Sequence, residues 1–207
     1  MKTLLEAARG YAPTQQHPTD QHLLPIFALK AHHLTSVNPG GSATPADFHS
    51  FLCQAIHNAK QRILLASLYI GPAVGENARE KELLKAIQQA SNRQEQNRPI
   101  VKVLIDASRG LRPVGNTCSA QAVYTHLVTH TPVTESNNKV YLFPALHSLL
   151  RSFIPSPLDE VAGVFHIKAY IIDDQLILTG ANLSEEYFSD RQDRYIVFNQ
   201  GEMQKQF

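Results

Sequence analysis

The run Phe165-His-Ile-Lys-Ala-Tyr-Ile-Ile-Asp-Asp-Gln-Leu-Ile-Leu-Thr-Gly-Ala-Asn-Leu183 holds the residues best suited to chemistry. His166 and Lys168 stand two apart, Asp173 lies seven beyond the histidine, and Gly180 and Asn182 close the segment. In an extended strand, residues two apart project from one face. His166, Lys168 and Tyr170 are therefore expected to share a face, with Ile167, Ala169 and Ile171 turned into packing. An imidazole beside an ammonium suits phosphodiester chemistry. The lysine neutralises phosphate oxygens and stabilises the charge that builds as phosphorus becomes five-coordinate. The same cation discourages protonation of the imidazole and leaves a ring nitrogen free to attack. A covalent phosphohistidine splits a hard displacement into easier steps, and a further group must then protonate the leaving group. This chemistry needs no metal or other cofactor, and the sequence suggests none.

His-x-Lys alone is as ordinary as any exposed strand face; with Asp173 seven residues after His166 and Gly180-x-Asn182 beyond it, the functional reading is preferred. Asp173-Asp174 sits where a hairpin turn belongs, and Asp174 reads as a solvated turn residue. Gly180 lets backbone approach a ligand closely.

Positioning such a segment calls for a sheet. Thr44-Pro45 reads as an N-cap followed by proline at the first helical position, and Phe48, Leu52, Ala55, Ile56 and Ala59 continue an amphipathic helix over residues 45–60. Arg62 to Ile70 is a nearly continuous apolar run, expected as a strand of a sheet covered on both faces. A charged helix over 77–92 and a strand over 100–106, closed by Ser108-Arg109-Gly110, come next. A helix over 118–128, a strand over 139–143 and a short helix near 145–151 precede a Pro155-Ser156-Pro157 break. The end, Val164 to Phe198, is rich in strands. Strands alternating with helices predict an α/β fold, a mixed or mainly parallel sheet sandwiched between helices. Residues 1–25 read as an irregular lead-in and possible targeting segment, and 26–207 as the domain. Arg9 is the lead-in's only arginine and Glu6 and Asp20 accompany it, which leaves targeting open.

Composition narrows the partners. The 207 residues are 43% hydrophobic and 18% charged, as in ordinary globular chains, and the formal net charge is +1, so a broad basic face for nucleic acid is disfavoured. Cys53 and Cys118 have no metal-ligand spacing and read as small hydrophobes. The longest apolar segment, Ile63 to Val74, is broken by Ser67, Gly71 and Pro72 and falls short of the ~18 residues needed to span a bilayer. Attachment to a membrane surface stays open.

His166, Lys168 and Asp173, with Gly180 and Asn182 beyond them, resemble the signature of the phospholipase D superfamily. Within it the chain is similar to the eukaryotic phosphatidylglycerophosphate synthases. The similarity is carried by Ala66-Ser-Leu-Tyr-Ile-Gly71, Leu104-Ile-Asp-Ala-Ser-Arg-Gly-Leu-Arg112, Tyr141-Leu-Phe-Pro144 and above all Gly180 to Tyr195. The resemblance implies a phospholipase D-like fold, one half of a two-motif pseudo-dimer. It implies transfer of a phosphatidyl group from CDP-diacylglycerol to glycerol 3-phosphate with release of CMP, peripherally on the mitochondrial inner membrane, in cardiolipin synthesis. His166 is then the nucleophile, Lys168 a phosphate ligand, Asp173 a residue that orients the site, and Asn182 a further phosphate-side hydrogen bonder. Arg109 and Arg112 are either ligands of glycerol phosphate or pyrophosphate, or surface cations. Arg191 and Arg194, around Asp193, are either phosphate ligands or a structural ion-pair cluster. Ser67 and Tyr69 line the site or, as preferred, pack in a strand. Family members carry a second His-Lys-Asp motif that this sequence lacks, so the partner half is expected in cis, beyond Phe207, or from a homodimer. A single-motif homodimeric nuclease or phosphodiesterase, and a half that only binds anionic lipid or a partner chain, are the rival readings.

Overall fold

A computed structural model describes residues 30–33, 43–71, 78–128, 138–144 and 164–199. The expected lead-in, the short helix near 145–151 and the Pro155-Pro157 break lie outside them. Seven strands form one sheet: β1 (Lys30–His33), β2 (Arg62–Ser67), β3 (Ile100–Asp106), β4 (Lys139–Phe143), β5 (Ala169–Ile172), β6 (Gln175–Thr179) and β7 (Tyr195–Asn199). Their spatial order is β1-β7-β6-β5-β2-β3-β4. The helices are α1 (Pro45–Asn58), α2 (Arg79–Ser91), a single turn α3 (Ala107–Gly110), α4 (Ser119–Val128) and α5 (Glu185–Ser189), with a 3-10 turn at Glu95–Asn97.

Local chemistry fixes several boundaries. The Thr44 hydroxyl accepts from the Asp47 amide at 3.2 Å while the Asp47 carboxylate accepts from the Thr44 amide at 2.9 Å. This reciprocal cap, with Pro45 at the first position, starts α1. Phe48, Leu52 and Ile56 repeat at helical spacing and are fully buried. The Phe48 ring stacks on Tyr195 of β7 at 4.3 Å, so α1 packs across the hairpin half of the sheet.

The pairing explains where a site can lie. β2, β3 and β4 run parallel. β5 pairs antiparallel with β2, Ala66 opposite Ala169, and β6 and β7 continue antiparallel. The C-terminal ends of the parallel strands therefore share an edge with the start of β5, the end of β6 and the start of β7. This edge, where strand direction changes at the β2–β5 junction, is the position at which open α/β sheets bind ligands.

Burial along the strands alternates. Ile63, Leu65, Val101, Val103, Ile105, Tyr170, Ile172, Ile177, Tyr195 and Val197 form one buried face with residues of α1, α2, α4 and α5. Their neighbours on the opposite face are mostly half-buried or exposed. Among the described residues the helices cover a single face, so the full coverage expected for β2 is not seen there.

Candidate active site

His166 precedes β5, in an extended stretch that joins the strand at Ala169. The Lys168 ammonium lies 3.0 Å from Nδ1 and 2.9 Å from Nε2 of the His166 ring, and donates to the His166 carbonyl at 3.3 Å. His166 is exposed whereas Lys168 is 5% exposed. The side-chain alternation differs from expectation. Lys168, Tyr170 and Ile172 are buried, while Ile167 is 56% exposed and Ala169 and Ile171 are half-buried. The packed face is thus the face of Lys168, because the single helical layer lies on that side. Tyr170 is not a site residue. It is fully buried and donates to the Ala181 carbonyl at 2.7 Å, tying β5 to the segment that carries Asn182. Burial pushes its phenol well above the usual range.

The electrostatics favour a neutral imidazole. Burial, then the Lys168 and Arg109 cations, hold the His166 ring below its ordinary value. Burial also lowers the Lys168 ammonium, and the Asp193 carboxylate partly opposes that. A neutral ring nitrogen beside an ammonium, at the end of a strand, can attack phosphorus while the cation binds its oxygens.

Asp173 is not brought to this pair. It occupies the β5–β6 turn at the opposite edge, roughly 15 Å away at ~3.3 Å per strand residue, with φ of 50°. Its carboxylate accepts from the amides of Lys60, Gln61 and Arg62 at 2.8, 2.7 and 3.0 Å. Burial opposes its ionisation, but these amides and the Arg62 guanidinium prevail and hold the carboxyl below its usual range. The turn placement expected from sequence is met. The orienting contact is not, because that carboxylate anchors the start of β2. Asp174 faces solvent beside Arg62 at 3.9 Å.

Asn182 lies at the site edge and is 4% exposed, and its Oδ1 has no hydrogen-bond partner among the described residues. A buried polar atom of this kind calls for a ligand or water. Its neighbours are held by the Ile70–Leu183 bridge and by the Gly71 amide donating to the Leu183 carbonyl at 2.7 Å. Arg109 stands in α3, its charge acting on His166. Arg109 and Arg112, with Tyr69, Val114 and Ser119, line a cavity of about 200 Å³. Tyr69 therefore reaches a cavity where strand packing was preferred. Ser67 does pack, fully buried, its hydroxyl donating to the Tyr69 carbonyl at 2.9 Å. Arg191 joins an ion pair, though with Glu186 at 3.2 Å, and lies over the Tyr187 ring. Arg194 is exposed and lines an open groove with Thr179, Gly180 and Asp193.

Two carboxylates matter more than the sequence alone suggested. The buried Asp106, at the end of β3, accepts from the Ser108 and Arg109 amides at 2.9 Å each through Oδ1. Through Oδ2 it accepts from the Phe165 amide at 2.8 Å. It thereby ties the turn bearing Arg109 to the backbone just before His166. The local signal was present, since an aspartate before a short helical turn is a strong N-cap; its link to Phe165 had none. Asp193 accepts from the Gly180 amide at 3.0 Å and the Arg194 amide at 2.6 Å. A Cβ on Gly180 would stand 2.6 Å from its Oδ2. Gly180 thus lets a carboxylate, rather than a ligand, approach the backbone.

Comparison with known proteins agrees with this fold. The family model described as cardiolipin synthase, PLD-like domain, matches residues 52–207. The mitochondrial CDP-diacylglycerol–glycerol-3-phosphate 3-phosphatidyltransferase of Gallus gallus is 34% identical over 86% of this chain and 30% of its own length. The corresponding enzyme of Saccharomyces cerevisiae is 33% identical over 91% of this chain and 34% of its own length. The crystal structure of phosphatidylserine synthase from Haemophilus influenzae superposes with a TM-score of 0.58 at 26% identity, over 84% of this chain and 34% of that one. The chain spans about a third of the length of the curated relatives it matches. A mixed sheet carrying His166 beside Lys168 at its direction change, and a family match over most of its residues, place the chain in the cardiolipin synthase, PLD-like domain family of the phospholipase D superfamily.

Proposed function

We propose that the chain forms the His-Lys half of a phosphatidyltransferase that moves a phosphatidyl group from CDP-diacylglycerol to glycerol 3-phosphate. The observation that carries this reading is the His166 ring within 3.0 Å of the Lys168 ammonium, with the imidazole favoured neutral. The choice of substrates is supported by the activity for which the relatives are named.

In the first step an unprotonated His166 nitrogen attacks the phosphatidyl phosphorus. A P–N bond forms, the P–O bond to the cytidylyl phosphate breaks, and CMP leaves with the electron pair. Lys168 spreads the charge of the five-coordinate state over its N–H donors. In the second step a glycerol 3-phosphate hydroxyl attacks the same phosphorus and loses its proton to a base. The P–N bond breaks, which frees neutral His166 and yields phosphatidylglycerophosphate. Asn182, with its buried amide, serves as a further phosphate-side contact, and Arg194 lies at the groove beyond Asp193. The acid for the leaving group comes from a second His-Lys half, in a longer chain or in a second copy.

The relatives' length supports a second half in cis. The working location is the surface of a mitochondrial membrane, supported by the relatives named mitochondrial. Among the described residues no helix is long and apolar enough to cross a bilayer. The test is incubation of the full protein with CDP-diacylglycerol and labelled glycerol 3-phosphate. Label is expected in lipid together with CMP, and both should vanish in His166→Ala while its circular dichroism is unchanged. Lipid labelling that persists in His166→Ala defeats the reading.

A further inference from the structure

Asp106 is a buried carboxylate, 1% exposed, to which the two transfer steps give no task. It stands at the end of β3, and β2 separates that strand from β5. Its base is fixed, because its own amide donates to the Leu68 carbonyl at 3.2 Å, just past the end of β2. Its two oxygens serve different elements. Oδ1 accepts from the Ser108 amide, the Ser108 hydroxyl and the Arg109 amide at 2.9, 2.5 and 2.9 Å, which caps the turn α3. Oδ2 reaches across the end of β2 and accepts from the Phe165 amide at 2.8 Å. A cap needs one oxygen, so capping alone does not account for the second bond. The Phe165 ring meets the Phe143 ring of β4 with centroids 5.2 Å apart, so amide and side chain of Phe165 are both held from the β3–β4 side.

We propose that Asp106 is a positioning residue for the nucleophile: by holding the Phe165 amide it fixes where the backbone presents His166 to the substrate phosphorus. The inference rests on the phosphatidyl-transfer reading and deepens it. His166 follows Phe165 directly and is exposed, so the main chain that carries the ring sets much of its aim. On the other side of His166, the Lys168 carbonyl accepts from the Thr179 amide of β6 at 3.4 Å, and the Lys168 ammonium reaches back to the ring. The nucleophile is thus held between two anchors, the sheet at Lys168 and the Asp106 carboxylate at Phe165. With the second anchor released, His166 stays tethered to Lys168 but loses its reference to the end of β3. Attack on phosphorus demands close placement, and a shift of about 1 Å can cost about a hundred-fold in rate. The loss falls on the chemical step, because the carboxylate acts on the backbone and not on substrate.

Asp106→Asn separates the two oxygens. Asparagine caps a helical turn about as well as aspartate does, so its oxygen stays with the Ser108 and Arg109 amides. Its NH2 group then faces the Phe165 amide, donor against donor, and the tie is broken. In the full protein, exchange of the Phe165 amide is read by NMR on phenylalanine-labelled material, beside steady-state and single-turnover kinetics with CDP-diacylglycerol and glycerol 3-phosphate. Exchange at Phe165 is expected to be slow in wild type and fast in Asp106→Asn. There kcat and the rate of phosphohistidine formation should fall about ten- to a hundred-fold, with both KM values unmoved. Ser108→Ala is the control. It removes one bond to Oδ1 and leaves Oδ2 on Phe165, so it should lower Tm and keep kcat. Should Asp106→Asn fail to fold, Asp106→Ser takes its place, a residue that caps the turn but is too short to reach Phe165. A Phe165 amide that exchanges freely in wild type overturns the proposal without any variant. So does fast exchange in Asp106→Asn with kcat preserved, which leaves the enzyme reading standing. An equal loss of kcat in Ser108→Ala makes α3 the cause and overturns it too, as do KM values that rise while kcat holds. A wild type with a protected Phe165 amide and no transfer removes the enzyme reading and, with it, the nucleophile to be positioned.

Discussion

Replacing Asp173 with asparagine separates an anchoring role from a catalytic one. Asparagine keeps the shape of the side chain and tolerates the left-handed φ of 50° at this position. It removes the charge and turns one of two acceptor oxygens into a donor, so at least one of the amides of Lys60, Gln61 and Arg62 loses its partner. Hydrogen bonds to a charged group contribute about 1.5–3 kcal/mol and neutral ones about 0.5–1.5 kcal/mol. The turn is half-buried, so water replaces part of the loss and a net cost of about 1–2 kcal/mol is expected. For a domain of this size that lowers Tm by about 2–8 °C. The sign with pH follows from the carboxyl's lowered titration. Its contribution is fully present above the unfolded value near ~3.9 and is lost as pH falls through the lower folded value. Wild type and Asp173→Asn should therefore differ in Tm at neutral pH and converge in acid. Thermal unfolding across pH measures this, and an NMR titration of His166 accompanies it. The His166 titration should be indifferent to the substitution, because the carboxylate sits at the other edge of the sheet. A variant that melts like wild type while His166 titrates differently would refute the reasoning and return Asp173 to the site.

Lys168→Met removes a cation that disfavours the imidazolium, so the His166 ring should titrate higher than in wild type by NMR; a fall or no change contradicts the assigned electrostatics. Since His166 titrates below its ordinary value, which is about 6.5, loss of phosphohistidine formation with acid should begin only below that pH in wild type and at higher pH in any variant that raises the ring. Gly180→Ala forces the Asp193 carboxylate away from a Cβ that would stand 2.6 Å from its Oδ2 and breaks the Gly180 amide bond to it. A loss of about 1–3 kcal/mol in urea unfolding is expected, and an unchanged midpoint would show that Asp193 yields freely. Tyr170→Phe leaves the Ala181 carbonyl without its donor and should cost about 1–3 kcal/mol in the same assay, with the His166 titration unmoved.

The sequence by itself determined the order and type of most elements, though not the strand β1, the turn α3 or the short helix α5. Thr44-Pro45 starts α1 because an N-cap and a fixed φ act locally, and Ile100–Asp106 and Lys139–Phe143 fall where their apolar runs predict strands. The adjacency of His166 and Lys168 was equally legible, since two residues so close in an extended chain have little freedom to separate. Tertiary structure decided what lies across the sheet. Asp173 sits five residues from Lys168, yet strand extension carries it to the far edge, where the amides of Lys60, Gln61 and Arg62 claim its carboxylate. Asp106 meets Phe165 although 59 positions separate them, and Arg109 comes to act on His166, because the parallel strand β3 ends at the edge where β5 begins. Which face of β5 is buried also depended on where the helices pack, a fact that alternation within the strand leaves undecided by symmetry. Spacing along the chain fixes neighbours; strand direction and pairing fix which distant charges meet them.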